Sequence, residues 1–342
     1  MTNPRLIAPA LSLVLALTAC TQSAAPLAKD PGKVVPAKHF AVSGHLYAVK
    51  GRKLYQFSGS RLTAIPGANS VKDPAVTLDG ARLAYAQVQG QSAVIAVGQS
   101  GGQQMEKITP GSAPEGMLWA FQPAFSTDGR SLVYLTDRGK HPSSPQDLWP
   151  NDLGIWTYDV VARRSSRLVA PIDYTGGDSD PSFRPGTADQ LVYTGYRYDG
   201  SPLQPVARLT WMSMETGRTV FLSPTPARNL EPSFSPDGKY LAFIRGGPQG
   251  DDLMVMPLAA SFAAEPSPYP SAAATLLQAG MVAQPVWAPD GNSIAFLMLV
   301  KGSFDLYVLP ITSVGGVRAT APAVAITQGS FFDADSRLAW SP

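Results

Sequence analysis

Cysteine and histidine are scarce in this chain. Its 342 residues include a single cysteine, Cys20, and three histidines, His39, His45 and His141. One cysteine excludes an internal disulfide and any zinc site built from several thiolates. Three scattered histidines offer little for a metal centre, so we expect no resident metal and no cofactor.

A strong excess of charge of either sign is also missing. Lys and Arg total 27 against 25 Asp and Glu, which gives a formal charge of +2. Binding to a phosphate backbone needs a basic stripe that this balance does not supply, so no nucleic-acid partner is expected. The 31 Gly and 32 Pro disfavour long helices, whereas 44% hydrophobic residues are enough for a core.

The N-terminus has the pattern of an export signal. Arg5 precedes an apolar run over residues 6–19 that ends in small residues. That run is shorter than the ~20 residues a membrane-spanning helix needs, so residues 1–19 are interpreted as a cleaved signal peptide. Residues 20–43, rich in Ala, Pro, Lys and Ser, are predicted to be a flexible tether.

The segment Leu17-Thr-Ala-Cys20 resembles the bacterial lipobox. The resemblance implies that Cys20 carries lipid and anchors an exported protein in the cell envelope. We expect the periplasmic face of the outer membrane, because Thr21 is not the aspartate that retains lipoproteins at the inner membrane in some bacteria. The alternative is a buried free cysteine after an ordinary cleavage site.

One phrase recurs along the chain and predicts the architecture. Its central apolar residues recur at intervals of 49 to 58 residues, a period typical of four-stranded propeller blades. Four copies are nearly identical in pattern, a fifth carries an insertion, and a half copy ends the sequence. The copies occupy residues 73–85, 122–134, 180–193, 231–243, 284–296 and 338–342.

Each copy predicts local structure. Its proline lacks an N–H and is expected at the beginning of strand A, and its Asp-Gly pair is typical of a tight hairpin between strands A and B. Strands near Leu46, Lys53 and Arg61 precede the first full copy and lack a strand A. The half copy at 338–342 supplies it. We therefore predict an all-β, six-bladed β-propeller over residues 44–342, with one blade closed by N- and C-terminal strands, and expect a monomer.

The phrase Pro232-Ser-Phe-Ser-Pro-Asp-Gly-Lys-Tyr-Leu-Ala-Phe243 resembles the WD-like repeat of the TolB family. The likeness extends from about Leu46 to Pro342. It implies a periplasmic six-bladed propeller that binds an envelope protein or peptide. Similar blades also occur in peptidases, sugar hydrolases and carriers, so the resemblance is more specific for fold than for function.

Catalytic motifs are missing from the sequence. It contains no nucleophile elbow, zinc-binding His-Glu-x-x-His segment, phosphate-binding Gly-rich loop or EF-hand. We therefore expect that the chain is not an enzyme. The polar residues that begin each phrase are expected to face the central channel, either holding a cation or bonding backbone N–H groups of the next blade. They are Asp73, Gln122, Asp180, Glu231 and Gln284.

Two predicted loops between strands B and C are enlarged, at residues 137–154 and 195–206. With the neighbouring connections they collect aromatics beside charges, which are typical anchors of a binding surface. The candidate partner-binding residues are Trp119, Phe121, His141, Trp149, Tyr174, Tyr196, Arg197 and Tyr198. The alternative is that these side chains only pin long loops to the blades.

Three functions remain open on the sequence alone. The first is a membrane-tethered, non-enzymatic scaffold that binds a protein or peptide in the envelope. The second is a carbohydrate- or polymer-binding propeller that uses the same aromatic face. The third is a propeller hydrolase with a metal site in the channel.

Overall fold

The computed structural model describes residues 35–36, 41–114, 116–139, 152–170, 177–198, 205–222, 228–248, 250–258 and 274–342. Every regular element within these ranges is a β-strand. No helix in the described part of the chain has the length and apolarity to span a bilayer.

The strands of the described ranges are numbered in chain order. They are β1 (Val35–Pro36), β2 (Val42–Lys50), β3 (Lys53–Gly59), β4 (Arg61–Asn69), β5 (Val71–Val76), β6 (Arg82–Gln89), β7 (Ser92–Gln99), β8 (Glu106–Lys107), β9 (Ser112–Ala113), β10 (Gly116–Met117), β11 (Ala120–Phe125), β12 (Ser131–Thr136), β13 (Gly154–Asp159), β14 (Arg164–Val169), β15 (Ser179–Phe183), β16 (Gln190–Tyr198), β17 (Pro205–Ser213), β18 (Thr219–Phe221), β19 (Arg228–Phe234), β20 (Tyr240–Gly247), β21 (Gly250–Pro257), β22 (Thr275–Gln278), β23 (Val282–Trp287), β24 (Ser293–Val300), β25 (Ser303–Thr312), β26 (Arg318–Ala319), β27 (Val324–Ala325) and β28 (Ala339–Ser341).

Six antiparallel sheets form the blades. Blades 1 to 5 have the strand orders β28-β2-β3-β4, β5-β6-β7-β8, β11-β12-β13-β14, β15-β16-β17-β18 and β19-β20-β21-β22. Blade 6 has the order β23-β24-β25-β27, with β1 added in parallel at its outer edge and β26 paired to β25. The innermost strands contact one another in a closed ring, which runs β28, β5, β11, β15, β19, β23 and back to β28.

Blade 1 combines strands β2 to β4 from the N-terminal part of the chain with the last strand, β28. Strand β28 pairs antiparallel with β2, with Leu46 opposite Trp340 and Tyr47 opposite Ala339. The Trp340 indole N–H also donates to the Ser43 carbonyl at 2.7 Å. The prediction of an all-β, six-bladed propeller with one composite blade is confirmed, and the pairing removes the free sheet edge that an open array would leave.

The core lies between neighbouring blades, where large side chains of the two middle strands pack face to face. Tyr134, Tyr193, Phe243 and Phe296 are almost fully buried in these contacts. The short apolar runs of strands B and C are therefore buried on both faces of their sheets.

The A–B hairpins are held by a repeated set of side-chain bonds. In blade 5 the Ser235 hydroxyl donates to Asp237 Oδ1 at 2.6 Å, the same oxygen accepts the Lys239 N–H at 3.1 Å, and Ser235 Oγ accepts the Tyr240 N–H at 2.9 Å. Gly238 takes the positive φ of 67° that the turn requires. The same bonds recur at Thr77 and Asp79 and at Ser126 and Asp128.

The expectation that the repeat's proline begins strand A is wrong. Strand β5 already begins at Val71, and Pro74 lies inside it, next to Asp73 at a φ of +55°. The pairing with β6 shifts between Lys72 and Ala75, which marks a β-bulge. A bulge leaves residues without a ladder partner, so the missing N–H of the proline costs nothing there. Gln122, Asp180, Glu231 and Gln284 have the same left-handed conformation before their prolines.

Candidate functional site

The connections of the propeller divide between two faces. The D–A connections and B–C turns lie on one face, here called the upper face, and the A–B and C–D turns lie on the lower face. Since strand A runs from the upper to the lower face, the bulges of the inner strands surround the upper part of the central channel.

The polar side chains at these bulges form a ring of bonds between blades, here called the channel belt. The Gln122 N–H donates to Asp73 Oδ2 at 3.2 Å, and the Asp180 N–H donates to Gln122 Oε1 at 2.6 Å. The Gln284 N–H donates to Glu231 Oε2 at 2.6 Å. Asp73, Gln122 and Glu231 therefore each accept a backbone N–H of the next blade. Of the two roles predicted for the polar residues that begin each phrase, this is the bonding between blades.

One connection of the belt runs through an additional hydroxyl. The Thr194 hydroxyl donates to Asp180 Oδ2 at 3.2 Å, and Thr194 Oγ1 accepts the Glu231 N–H at 3.1 Å. Thr194 is fully buried in strand β16. It extends the reach of Asp180, whose side chain is shorter than that of Gln122 or Glu231.

Arg337 occupies the sixth position of the ring and crosses the channel. Its N–H donates to Asp73 Oδ1 at 3.2 Å, and its Nη1 donates to the Pro181 carbonyl of blade 4 at 2.8 Å. Blade 4 lies opposite blade 1 in a ring of six. The cavity that remains beside Arg337 is small, about 30 Å³, and has room for water only. The belt is therefore the floor of the channel's upper opening.

Burial changes the acidity of two belt carboxyls. Desolvation raises the pKa of Asp73 to about 6, against the opposing effect of Lys72. Desolvation, reinforced by the nearby Asp180 carboxylate, raises the pKa of Glu231 to about 8. Among the described residues there is no cluster of three His, Cys, Asp or Glu side chains that could hold a metal ion.

A cavity of about 370 Å³ opens above this floor, between blades 2, 3 and 4. We call it the mouth cavity. The aromatic rings of Phe121 and Tyr196 line it, and Trp119 stacks on Phe121 with ring centroids 5.8 Å apart. Its other lining residues are Lys72, Asp73, Gln122, Leu135, Leu153, Gly177, Asp178, Ser179 and Asp335.

A buried ion pair lies at one side of the mouth cavity. Arg197 Nη1 donates to Asp178 Oδ1 at 2.9 Å and to the Tyr196 carbonyl at 2.7 Å, and the Tyr196 N–H donates to Asp178 Oδ1 at 3.3 Å. The Asp178 side chain is 1% exposed. Its Oδ2 atom has no hydrogen-bond partner, and burial raises the pKa of this carboxyl despite Arg197.

The candidate partner-binding residues are distributed unevenly around this cavity. Phe121 and Tyr196 line it, Trp119 flanks it, and Arg197 is engaged by Asp178. Tyr198 is exposed at the upper end of β16. Outside the described residues lie Cys20, His141, Trp149 and Tyr174.

The second enlarged loop differs from its prediction. Residues 195–206 were expected to be a B–C loop, yet Tyr196 to Tyr198 continue β16 and pair with Pro205 to Ala207 of β17. The alternating Tyr-Arg-Tyr pattern favours a strand, and the longer hairpin positions Tyr196 over the channel.

Sequence reasoning missed Lys72 and Asp335, whose side chains form an ion pair at the rim of the cavity with Nζ and Oδ2 2.5 Å apart. They lie 263 positions apart and belong to no motif. The sequence carried no signal that would have brought them together.

Comparisons with known proteins decide the fold relationship. TolB from Acinetobacter baumannii superposes with a TM-score of 0.58 at 16% identity, over 79% of this chain and 62% of that chain. The putative TolB from Agrobacterium tumefaciens gives 0.57 at 13% identity, over 87% and 92%. The chain has a TolB-like six-bladed propeller fold. At 16% and 13% identity, the likeness to these two TolB proteins shows a shared fold and no more.

No protein-family model matches the chain. A curated relative is the uncharacterized peptidase YuxL of Bacillus subtilis, 27% identical over 210 residues. The match covers 54% of this TolB-like propeller and 30% of YuxL, so the chain spans less than a third of that relative's length.

The peptidase relative corrects one prediction. The absence of familiar catalytic motifs led to the expectation that the chain is not an enzyme. That expectation is wrong, because a relative detected by sequence is named a peptidase. Motif searches find only catalytic groups that are close in sequence, whereas catalytic side chains are often brought together by the fold from distant positions.

Proposed function

We propose that this TolB-like propeller binds an extended polypeptide segment in the mouth cavity of its upper face. The observation that carries the proposal is the cavity itself, an opening of about 370 Å³ with aromatic walls, lined from three blades and closed below by the channel belt. Small-molecule and peptide-side-chain pockets are concave openings where apolar walls and a few polar groups converge, as in the mouths of β-barrels.

The walls and floor suit a peptide chain. Phe121 and Tyr196 offer apolar and aromatic surface to a side chain, while Ser179 Oγ, which donates to Asp180 Oδ2 at 2.8 Å, can still accept a backbone N–H. The relationship to a peptidase supports polypeptide over carbohydrate as the ligand class. A glycan ligand for the same aromatic surface is the competing outcome that the experiment below separates.

The proposed role includes export to the cell envelope and a lipid anchor on Cys20. The support is the position of the only cysteine, directly after an apolar run that ends in small residues. We expect Cys20→Ser to leave the precursor uncleaved or to release the protein from membranes. Fractionation of cells that express the wild type and the variant measures this, and a variant processed and membrane-bound like the wild type contradicts it.

The binding proposal is tested by selecting peptides on the full chain. A random peptide library is panned against the wild type, and the enriched peptides are titrated by calorimetry. We expect Phe121→Ala to weaken their binding about tenfold or more, as the loss of an aromatic anchor does at an interface. Mass spectrometry of the same mixtures reports whether bound peptide is cleaved.

Leu78→Ala is the matched control, because Leu78 is an exposed apolar side chain in a lower-face turn. It should leave peptide affinity unchanged. Failure to enrich any peptide, together with binding of a neutral oligosaccharide that Phe121→Ala abolishes, would replace the polypeptide ligand with a glycan. Equal peptide affinity of wild type and Phe121→Ala would move the site away from the mouth cavity.

A further inference from the structure

Among the described residues, the walls and floor of the mouth cavity carry more carboxyl groups than cationic side chains. The acidic side chains described there are Asp73, Asp178, Asp180, Glu231 and Asp335. The cations facing them are Lys72, Arg197 and Arg337. Because its raised pKa of about 8 keeps Glu231 protonated at neutral pH, one negative charge is left over among these side chains, and charges that are partly buried attract each other more strongly than in water. The mouth cavity therefore favours a ligand that brings one positive charge.

Asp178 is the carboxylate with one oxygen that accepts no hydrogen bond. Asp73 accepts bonds on both oxygens, from the N–H groups of Gln122 and Arg337. Asp335 lies at the exposed rim, where water reaches it. Asp178 is 2% exposed and uses only Oδ1, which leaves Oδ2 buried without a donor. A buried carboxylate with an unpaired oxygen is costly, and a positive charge that a ligand brings close to it offsets part of that cost.

The walls near Asp178 suit the stem of a basic side chain. Leu135, Leu153, Phe121 and Tyr196 provide apolar and aromatic surface in the same cavity. Lysine and arginine bury their methylene groups against such surface while the charged end reaches a carboxylate, and a cation over an aromatic face gains further attraction.

We propose that the mouth cavity selects a lysine or arginine side chain in the bound polypeptide and that the charge of the Asp178 carboxylate attracts its cationic end. This inference rests on the proposed polypeptide-binding role and names the side-chain class that the site prefers. Arg197 holds one oxygen of Asp178 and fixes the carboxylate in place for the incoming cation.

The test compares ligands on the unaltered full chain. Four acetylated and amidated pentapeptides of alanine carry lysine, arginine, norleucine or glutamate at the centre, and calorimetry measures their affinities. Norleucine keeps the lysine stem and lacks the ammonium. We expect the lysine and arginine peptides to bind at least tenfold more tightly than the norleucine peptide, and the glutamate peptide to bind most weakly.

The outcomes separate this inference from the function on which it rests. Equal binding of the lysine and norleucine peptides overturns the cation preference and leaves polypeptide binding intact. Binding of n-butylamine without binding of any peptide makes the cavity a site for free amines and overturns both proposals, as does binding of no probe.

Asp178→Asn tests the residue assignment. It removes the charge at constant size, so the lysine peptide should lose its advantage over norleucine while the norleucine affinity stays within about twofold. The matched control is Asp305→Asn, another buried upper-face carboxylate, whose oxygens accept bonds from Thr327, Gly329 and Ser330. It should lower the melting temperature and keep the lysine preference. An unchanged preference in folded Asp178→Asn would overturn the assignment.

Discussion

The surroundings of individual acidic residues in this propeller shift their pKa values in opposite directions. Glu231 is partly buried in the channel belt, and desolvation together with Asp180 raises its pKa to about 8. Asp128 lies in an exposed hairpin turn, and the hydroxyl of Ser126 lowers its pKa. The same carboxyl chemistry therefore makes folding sensitive to pH in two different ranges.

Glu231→Gln should make the protein less sensitive to alkaline pH. The pKa of Glu231 is about 8 in the folded protein and 4.5 for an unperturbed glutamate, so the folded state binds more protons than the unfolded state between these values. Its contribution to stability is therefore fully present below about pH 4.5 and falls as the pH rises towards 8. We expect the variant to melt at a higher temperature than the wild type at pH 8, with a smaller difference at pH 5.

Thermal denaturation followed by circular dichroism measures this at both pH values. Glu215→Gln is the control, because Glu215 is an exposed carboxyl in a turn, and it should not change the pH dependence. A wild-type melting temperature that rises from pH 5 to pH 8 as much as that of Glu231→Gln would contradict the partly buried, protonated carboxyl.

At the scale of elements, the A–B hairpins and the bulged inner strands explain how one phrase builds a blade. The hydroxyl and the aspartate of the phrase close the turn on the lower face. The polar residue before the proline bulges the same strand on the upper face and bonds to the next blade. Each repeat thus carries both its own turn and its link to a neighbour.

Asp128→Ala should weaken the hairpin of blade 3. Asp128 Oδ1 accepts the Ser126 hydroxyl at 2.6 Å and the Arg130 N–H at 3.0 Å. Loss of such bonds in a partly exposed turn typically costs about 0.5–1.5 kcal/mol each. We expect a comparable drop in the free energy of unfolding in urea at pH 7. Because the pKa of Asp128 is lowered, this difference should shrink as the pH falls below the ordinary aspartate value of 3.8.

Asp290→Ala provides the comparison within the same chain. The residue two before Asp290 is Ala288, which has no hydroxyl, and Asp290 Oδ1 accepts the Asn292 N–H at 2.9 Å. It should therefore cost less than Asp128→Ala. Equal losses in the two variants would mean that the hydroxyl bond contributes nothing to the turn.

At the scale of the whole molecule, stability depends on closing the ring. Strand β28 pairs with β2 and also contacts the inner strands of blades 2 and 6. Without it, blade 1 would lack its innermost strand and two neighbouring blades would lose a contact surface.

Deletion of residues 338–342 should destabilise the protein severely. It removes the buried Leu338 and the half-buried Trp340 together with the backbone ladder to β2. Truncation of a buried leucine alone typically costs about 2–5 kcal/mol, against a total stability of about 5–15 kcal/mol for most proteins. We expect a much lower melting temperature, or loss of cooperative melting, in calorimetry.

Trp340→Phe separates strand pairing from the indole bond. It keeps an aromatic ring in β28 but loses the donor to the Ser43 carbonyl and part of the ring surface packed on the core, so its effect should be much smaller than that of the deletion. A truncated chain that melts at the wild-type temperature would contradict the composite blade.

How much of the site could be predicted depends on how local its signals are. Phe121 and Tyr196 were found because aromatics beside charges stand out in the sequence, and Asp73, Gln122 and Glu231 because they recur with the repeat. The bulge at each of these polar residues was not foreseen. Its left-handed backbone is adopted by residues other than glycine, and only the fixed pairing with the next strand and the next blade stabilises it.

The sequence by itself determined the number of blades, their order and the way the ring closes, since the period, the Asp-Gly turns and the half copy are local patterns that repeat along the chain. Tertiary structure alone decided that Lys72 meets Asp335, that Arg337 crosses the channel to Pro181 and that Asp178 keeps a free oxygen beside the mouth cavity. These contacts join residues far apart in the chain. They arise from the curvature of the closed ring, which no local pattern encodes.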